Sequence, residues 1–222
     1  MKKLFFLLPV FFLFSFQNVN GQAFQKGNFN IDLGIGFGAY KTTTKFQFDF
    51  FGTPITFTEE DGAASGMFPL SLEYGISNKF GLGLEFGFCN YAIDDSTEDS
   101  NGNLVMNNTE SVKSTDIMLF CNFHLLDSEK NDLFIGIGFG SSNVVWTFKD
   151  NLSYEYTGRG GLFKFYIKDR IFFSESVGIL FNLGYTSYVY NNMEASDNNA
   201  ILEGLKWNVS GVNIGTGLAL KF

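Results

Sequence analysis

The closing stretch of the chain, V-N-I-G-T-G-L-A-L-K-F from Val212 to Phe222, alternates at every step. Val212, Ile214, Thr216, Leu218, Leu220 and Phe222 fall on one side, and Asn213, Gly215, Gly217, Ala219 and Lys221 on the other. A period of two belongs to an extended strand, whose successive side chains point to opposite faces. One face here is apolar enough to stand in lipid, and the other is small or polar.

The same pattern recurs along the chain. Phe29, Ile31, Leu33, Ile35, Phe37 and Ala39 alternate with Asn30, Asp32, Gly34, Gly36, Gly38 and Tyr40, about eleven residues, the length a tilted membrane strand requires. A second segment sets Phe68 to Ile76 against Pro69, Ser71, Glu73 and Gly75, and a third sets Phe80 to Phe88 against Gly81, Gly83, Glu85, Gly87 and Cys89. In the fourth, Thr115 to Leu125 face outward while Asp116, Met118, Phe120, Asn122 and His124 face inward. Three further segments, beginning at Leu133, Leu162 and Val177, continue the plan, and the last runs from about Trp207.

Eight strands result, and the connections between them alternate in length. Those around Ser77 to Lys79, Asp127 to Asp132 and Lys168 to Arg170 are short, whereas Lys41 to Ser65, Asn90 to Ser114, Lys149 to Gly158 and Asn191 to Lys206 are long and polar. An even strand number with short turns at one end and long loops at the other is the plan of a transmembrane β-barrel. The expected fold is therefore all-β, an eight-stranded antiparallel transmembrane barrel with short periplasmic turns, longer extracellular loops and both termini periplasmic. A soluble ligand-binding barrel would reverse the faces, with apolar residues inside. A secreted sandwich would not need an apolar outward stripe in every strand.

Composition agrees with this reading. The chain carries 29 Phe, 9 Tyr and 25 Gly against 3 Pro, and aromatics suit a lipid-facing wall while glycines suit the crowded inside of a narrow barrel. A net charge of −8 argues against nucleic acid as a partner. Lys2 and Lys3 followed by the apolar run from Leu4 to Phe16 read as a signal peptide, residues 1 to 21, with cleavage after Gly21 or Ala23. Residues 22 to 222 are then one barrel domain, with no cysteine near the cleavage site to take a lipid anchor.

The terminal strand, ending on an aromatic residue, resembles the C-terminal targeting strand of bacterial outer-membrane barrels. The whole mature chain resembles the small barrels of the OmpA, OmpX and OmpW kind, and its Phe-rich, Asn-rich composition is similar to versions found in the Bacteroidetes. That resemblance implies an outer-membrane location, contact with lipid and lipopolysaccharide, and Leu218, Leu220 and Phe222 as the signal read by the barrel assembly machinery.

Inside the barrel, Asp32, Glu73, Glu85, Asp116, His124 and Lys164 are the expected polar network, joined by Lys168 and Lys221 and packed with Phe120, Phe134, Tyr166 and Leu180. Confined opposite charges should pair, because isolating one is costly. Glu85 and Lys164 make the best pair, with Glu73 or Asp32 as competing partners. Eight strands enclose only enough room for side chains to meet, so a filled lumen is expected. The inward glycines keep a narrow cavity open as the alternative.

No catalytic, cofactor or metal site is expected. His124 is the single histidine, placed near the turn end of its strand with no nucleophile beside it, which leaves a lipid-modifying enzyme as a remote alternative. Cys89 and Cys121 face opposite ways at different depths, so a disulfide is not expected. The acidic segment from Asp94 to Asn103 has imperfect calcium-loop spacing, since Asn108 stands where a bidentate Glu belongs. It reads better as a hairpin tip turning at Asn101 and Gly102, and Asp95-Ser96-Thr97 is similar to a short O-glycosylation motif. The expected role is a structural or interaction barrel that meets a protein partner through its loops, with small-solute transport as the alternative.

Overall fold

The computed structural model describes residues 23–51, 53–93, 96–98, 104–106, 109–148, 155–196 and 204–222, so the expected signal peptide lies outside the described residues. Ten strands follow one another: β1 (Phe29–Phe50), β2 (Thr53–Gly75), β3 (Phe80–Ile93), β4 (Ser96–Glu98), β5 (Leu104–Met106), β6 (Thr109–Asp127), β7 (Asn131–Phe148), β8 (Glu155–Phe172), β9 (Val177–Ala195) and β10 (Gly204–Lys221). Eight of them close an antiparallel barrel in the order β1-β10-β9-β8-β7-β6-β3-β2, while β4 pairs with β5 alone. The first and last barrel strands meet from Asn30 opposite Lys221 to Gln47 opposite Gly204. Closure leaves no free sheet edge.

The alternation decides which way each side chain points. Leu33, Ile35 and Phe37 of β1, Leu119 of β6, Phe139 of β7, Phe181 and Leu183 of β9, and Val212, Ile214 and Leu218 of β10 are exposed on the outer wall. Asp32, Glu73, Glu85, Asp116, Lys164 and Arg170 are buried inside. A protein whose charges are inside and whose large apolar groups are outside has its solvent reversed, and lipid is the medium that fits the outer wall. Among the described residues no helix is long and apolar enough to cross a membrane.

The short connections 76–79, 128–130 and 173–176 lie at one end with both ends of the described chain, here named the turn end. The opposite, hairpin end differs from the sequence expectation. Barrel strands run from 14 to 23 residues instead of about eleven. The expected loop from Lys41 to Ser65 is paired strand almost throughout, from Lys41 opposite Gly62 to Phe50 opposite Thr53. The other expected loops shorten in the same way, because β3 reaches Ile93, β6 starts at Thr109, β8 starts at Glu155, β9 reaches Ala195 and β10 starts at Gly204. The inward face of these extensions stays buried, at Thr42, Thr44, Ala63 and Ser65, but with small, mostly polar residues. The short alternation Phe46, Phe48, Phe50 sits among Thr, Lys, Asp and Glu, so the composition of the whole stretch reads as loop while backbone pairing extends the strands.

A second correction concerns Asp169 and Arg170, expected in a turn. Both lie within β8, and the turn comes later, after Phe172. In the acidic segment, Ser96–Glu98 pairs with Leu104–Met106 as an antiparallel hairpin. Its expected tip, Asn101 and Gly102, lies outside the described residues.

Candidate functional site

The lumen holds the polar residues, and at the turn end it is organised around one guanidinium. Arg170 projects inward from β8 and reaches three strands at once. Its Nε and Nη2 donate to the two oxygens of Asp32, each at 2.9 Å, its Nη1 donates to Asp132 at 3.0 Å, and Nη2 lies 2.7 Å from Glu73. The planar fork of donors suits arginine to this task, since each carboxylate meets a separate N–H. The ring of Phe134 packs under it, 4.5 Å from the guanidinium carbon.

His124 closes the same cluster from β6. Its Nδ1 faces Asp132 at 2.5 Å and its Nε2 faces Glu73 at 3.2 Å. Carboxylates only accept, so two ring nitrogens aimed at two carboxylates suit a ring carrying a proton on each. Asn122 also donates to Glu73, at 2.6 Å. Phe24, from the segment before β1, stacks flat on the His124 ring with centroids 3.3 Å apart. That segment is tied into the barrel mouth by Ala23 N–H donating to the Ser128 carbonyl and Gly27 N–H donating to the Gly75 carbonyl.

Toward mid-barrel, Lys164 donates to Glu85 at 2.6 Å, and Lys168 lies 3.4 Å from Glu85 and 3.9 Å from Asp32. Ser71 donates to the second oxygen of Glu85 at 2.8 Å. The expected pair is present, and Lys168 links it to the arginine cluster. Asp116 is different, since its oxygens are held by neutral donors: Ser142 at 2.5 Å, Tyr188 at 2.9 Å and Ser114 at 3.2 Å.

Above Asp116 the filling becomes aromatic. Trp207 is the hub, stacked on Tyr190 at 5.7 Å and meeting Tyr91 at 5.3 Å and Trp146 at 5.6 Å, while Tyr188 stacks on Tyr190 at 6.2 Å. Inward glycines make room for these large groups in both halves. A Cβ at Gly81 would overlap the carboxylate of Glu73, one at Gly83 the ring of Phe120, one at Gly136 the ring of Tyr166, and one at Gly138 the sulfur of Met118. These four glycines thus seat neighbouring side chains.

The β1–β2 ladder keeps its register from Leu33 opposite Leu70 to Gly36 opposite Met67 but leaves Gly34 and Pro69, and Ile35 and Phe68, unpaired between them. Pro69 has no N–H for the ladder. A cavity of about 40 Å³ lies here, lined on the lumen side by Glu85, Asp116 and Lys164 and on the outer side by Ile35 and Phe68.

All six expected network residues, Asp32, Glu73, Glu85, Asp116, His124 and Lys164, are buried in the lumen. They form two linked charge clusters and one hydroxyl-bound carboxylate. The sequence reading misses Asp132 and Arg170, assigned to turns, and the tyrosine and tryptophan layer. Lys221 lies over the ring of Phe172 at 4.9 Å. Leu218, Leu220 and Phe222 line the outer face of β10, and Phe222 exchanges backbone hydrogen bonds with Phe29. Cys89 and Cys121 are both free thiols.

No protein-family model matches this chain, and no curated protein does. Among solved structures it is similar to the outer membrane protein OprG of Pseudomonas aeruginosa, with a TM-score of 0.60 at 14% identity over 90% of this chain and 97% of that one. It is also similar to the outer membrane protease OmpT of Escherichia coli, with a TM-score of 0.49 at 10% identity over 92% and 99%. For Neisserial surface protein A the TM-score is 0.44 at 10% identity, over 85% and 97%. The likeness is one of fold. This chain has the architecture of the small outer-membrane β-barrels.

Proposed function

We propose that the chain is a non-enzymatic outer-membrane barrel whose lumen is plugged and whose role is structural or interactive, with the turn end periplasmic and the hairpin end outside the cell. The observation that carries this reading is the double filling of the lumen, by the Arg170 cluster in one half and the Trp207 layer in the other. Function then falls to the surface. The β1–β2 hairpin extends well past the apolar band and ends on Phe51, 95% exposed with φ at 51°, near Phe57, 58% exposed. An apolar tip on a polar arm suits contact with a protein partner better than contact with water.

A catalytic role finds little support, because the His124 side chain is wholly enclosed between Phe24 and the two carboxylates. A substrate has no path to it. The terminal strand presents Leu218, Leu220 and Phe222 as an outward line that suits recognition by the assembly machinery. Phe222→Ser should then lower membrane yield far more than Lys221→Met, read by heat-modifiable migration.

Planar-bilayer recording of the refolded protein tests the plug. No ion conductance above the bare bilayer is expected, and steady single-channel steps would overturn it. A second reading, lateral passage of a small solute between lumen and lipid, is favoured by the gap at Pro69. It predicts uptake of an apolar probe by proteoliposomes that conduct no ions.

A further inference from the structure

Asp169 stands on the outer wall of β8, where every neighbour is apolar. Ile167 and Ile171 flank it on its own strand, and across the ladders it pairs with Leu133 on β7 and Phe181 on β9. Among the described residues no other charged side chain lies on the outward face between the two rims. The next outward charges, Lys41, Lys113 and Arg159, stand at the hairpin-end rim. Asp169 Oδ1 is buried against the wall without a hydrogen-bond partner, and among the described residues Asp169 forms no ion pair. An ionised carboxylate facing hydrocarbon with nothing among the described residues to compensate it is costly, and a cationic donor from the membrane offsets that cost.

The surface above Asp169 shows what form that partner takes. A groove of about 520 Å³ runs from Asp169 across the outer faces of β8, β9, β10 and β1. Thr216 and Gly215 form its floor, because a small residue there sits between Ile35 and Phe181, its partners on the two sides. Phe37, Ile214 and Leu183 raise its walls. Thr216 spends its hydroxyl on the Leu180 carbonyl at 2.9 Å, and Asn182 beside it turns its amide N–H to Asn213 at 3.2 Å, so the floor is mostly apolar. An apolar trough with one carboxylate at its turn-end mouth has the shape of a lipid: a chain in the trough and a head at the acid.

We propose that this groove is a specific site for a phospholipid with a primary ammonium headgroup, the acyl chain lying along Thr216 and the ammonium donating to Asp169. The headgroup must carry both a positive charge and N–H donors, since the carboxylate needs charge compensation and a hydrogen bond. Asp169 lies one outward residue inside Ile171, at the depth where a headgroup on the turn-end leaflet reaches the wall. The biological setting, a phospholipid leaflet on that side, rests on the orientation proposed above; binding itself does not.

Native mass spectrometry of the full protein in vesicles of mixed phosphatidylethanolamine, phosphatidylcholine and phosphatidylglycerol tests the site. Retention of the ethanolamine lipid should exceed that of the choline lipid by about fivefold, the scale of one partly exposed ion pair. Choline keeps the charge but has no N–H, so it isolates the donor requirement. Asp169→Asn should abolish the preference while lipid remains bound, and Thr216→Phe, which fills the floor with a lipid-compatible side chain, should reduce retention of all three lipids. Equal retention of ethanolamine and choline lipids by the wild-type protein overturns the proposal, as does a preference unchanged by Asp169→Asn. The vesicles are symmetric and the readout is bound lipid, so failure here leaves the plug and its conductance test untouched.

Discussion

The two halves of the lumen are filled with opposite chemistry. At the turn end, Asp32, Glu73 and Asp132 converge on Arg170 with His124 and Asn122 completing the shell. At the hairpin end, Trp207, Tyr190, Tyr91 and Trp146 pack ring against ring. The charged half is stable only as a set, since every member compensates another and loss of one strands the rest. The aromatic half is stable by contact area, so loss of one ring costs roughly what that ring buried. Asp116, held by hydroxyls of Ser142 and Tyr188, marks the border between the two regimes.

The largest expected effect tests the first regime. Arg170→Met keeps much of the volume but leaves three carboxylates around an apolar side chain, and should destabilise the barrel by about 5 kcal/mol in urea unfolding from bilayers. A change near 1 kcal/mol would mean that water or Lys168 already screens the acids, and the contrast between the halves would fail.

A smaller loss is expected in the aromatic half. Trp207→Ala removes the hub and leaves a void, at about 3 kcal/mol. Its cost should depend little on salt or on neighbouring polar substitutions, whereas that of Arg170→Met should be partly recovered by Asp132→Asn in the same chain. Equal rescue of both variants by a polar change would erase the distinction.

Legibility in the sequence followed lipid. Wherever one face of a strand meets hydrocarbon, the alternation is written in Phe, Leu and Ile, and the inward or outward placement of residues such as Phe181 and Glu85 is read directly. Beyond the band the composition turns to Thr, Lys, Asp and Glu, and the short alternation Phe46, Phe48, Phe50 is lost among them, which is why the paired stretch from Lys41 to Ser65 reads as loop. Arg170 was hidden for a related reason. Asp169 puts a charge on the lipid face, so Lys168-Asp169-Arg170 breaks the alternation and takes the composition of a turn. That outward acid thereby masks the inward arginine beside it. Asp132 sits at the start of β7 next to a true turn, where composition again favours the turn. The placement of Phe24 on His124 has no periodic signal, since a six-residue segment that folds into the barrel mouth carries no repeat.

The smallest effect probes the seam between clusters, and it sharpens the claim that charged groups act as a set. Glu85 receives Lys164 at 2.6 Å and Lys168 at 3.4 Å, so it has two cations, while among the described residues Lys164 has one ion-pair partner. Glu85→Gln strands Lys164 in a confined space and weakens the hold on Lys168, whereas Lys164→Met leaves Glu85 its second cation. Glu85→Gln should therefore be the costlier single change. The double variant removes both members of the short pair, leaving Lys168 with Asp32, so it should be less destabilised than the sum of the singles by about 1 kcal/mol in a double-mutant cycle. If the two costs simply add, each charge is being met by water in the adjacent 40 Å³ cavity, and lateral passage at Pro69 becomes the better account of the barrel.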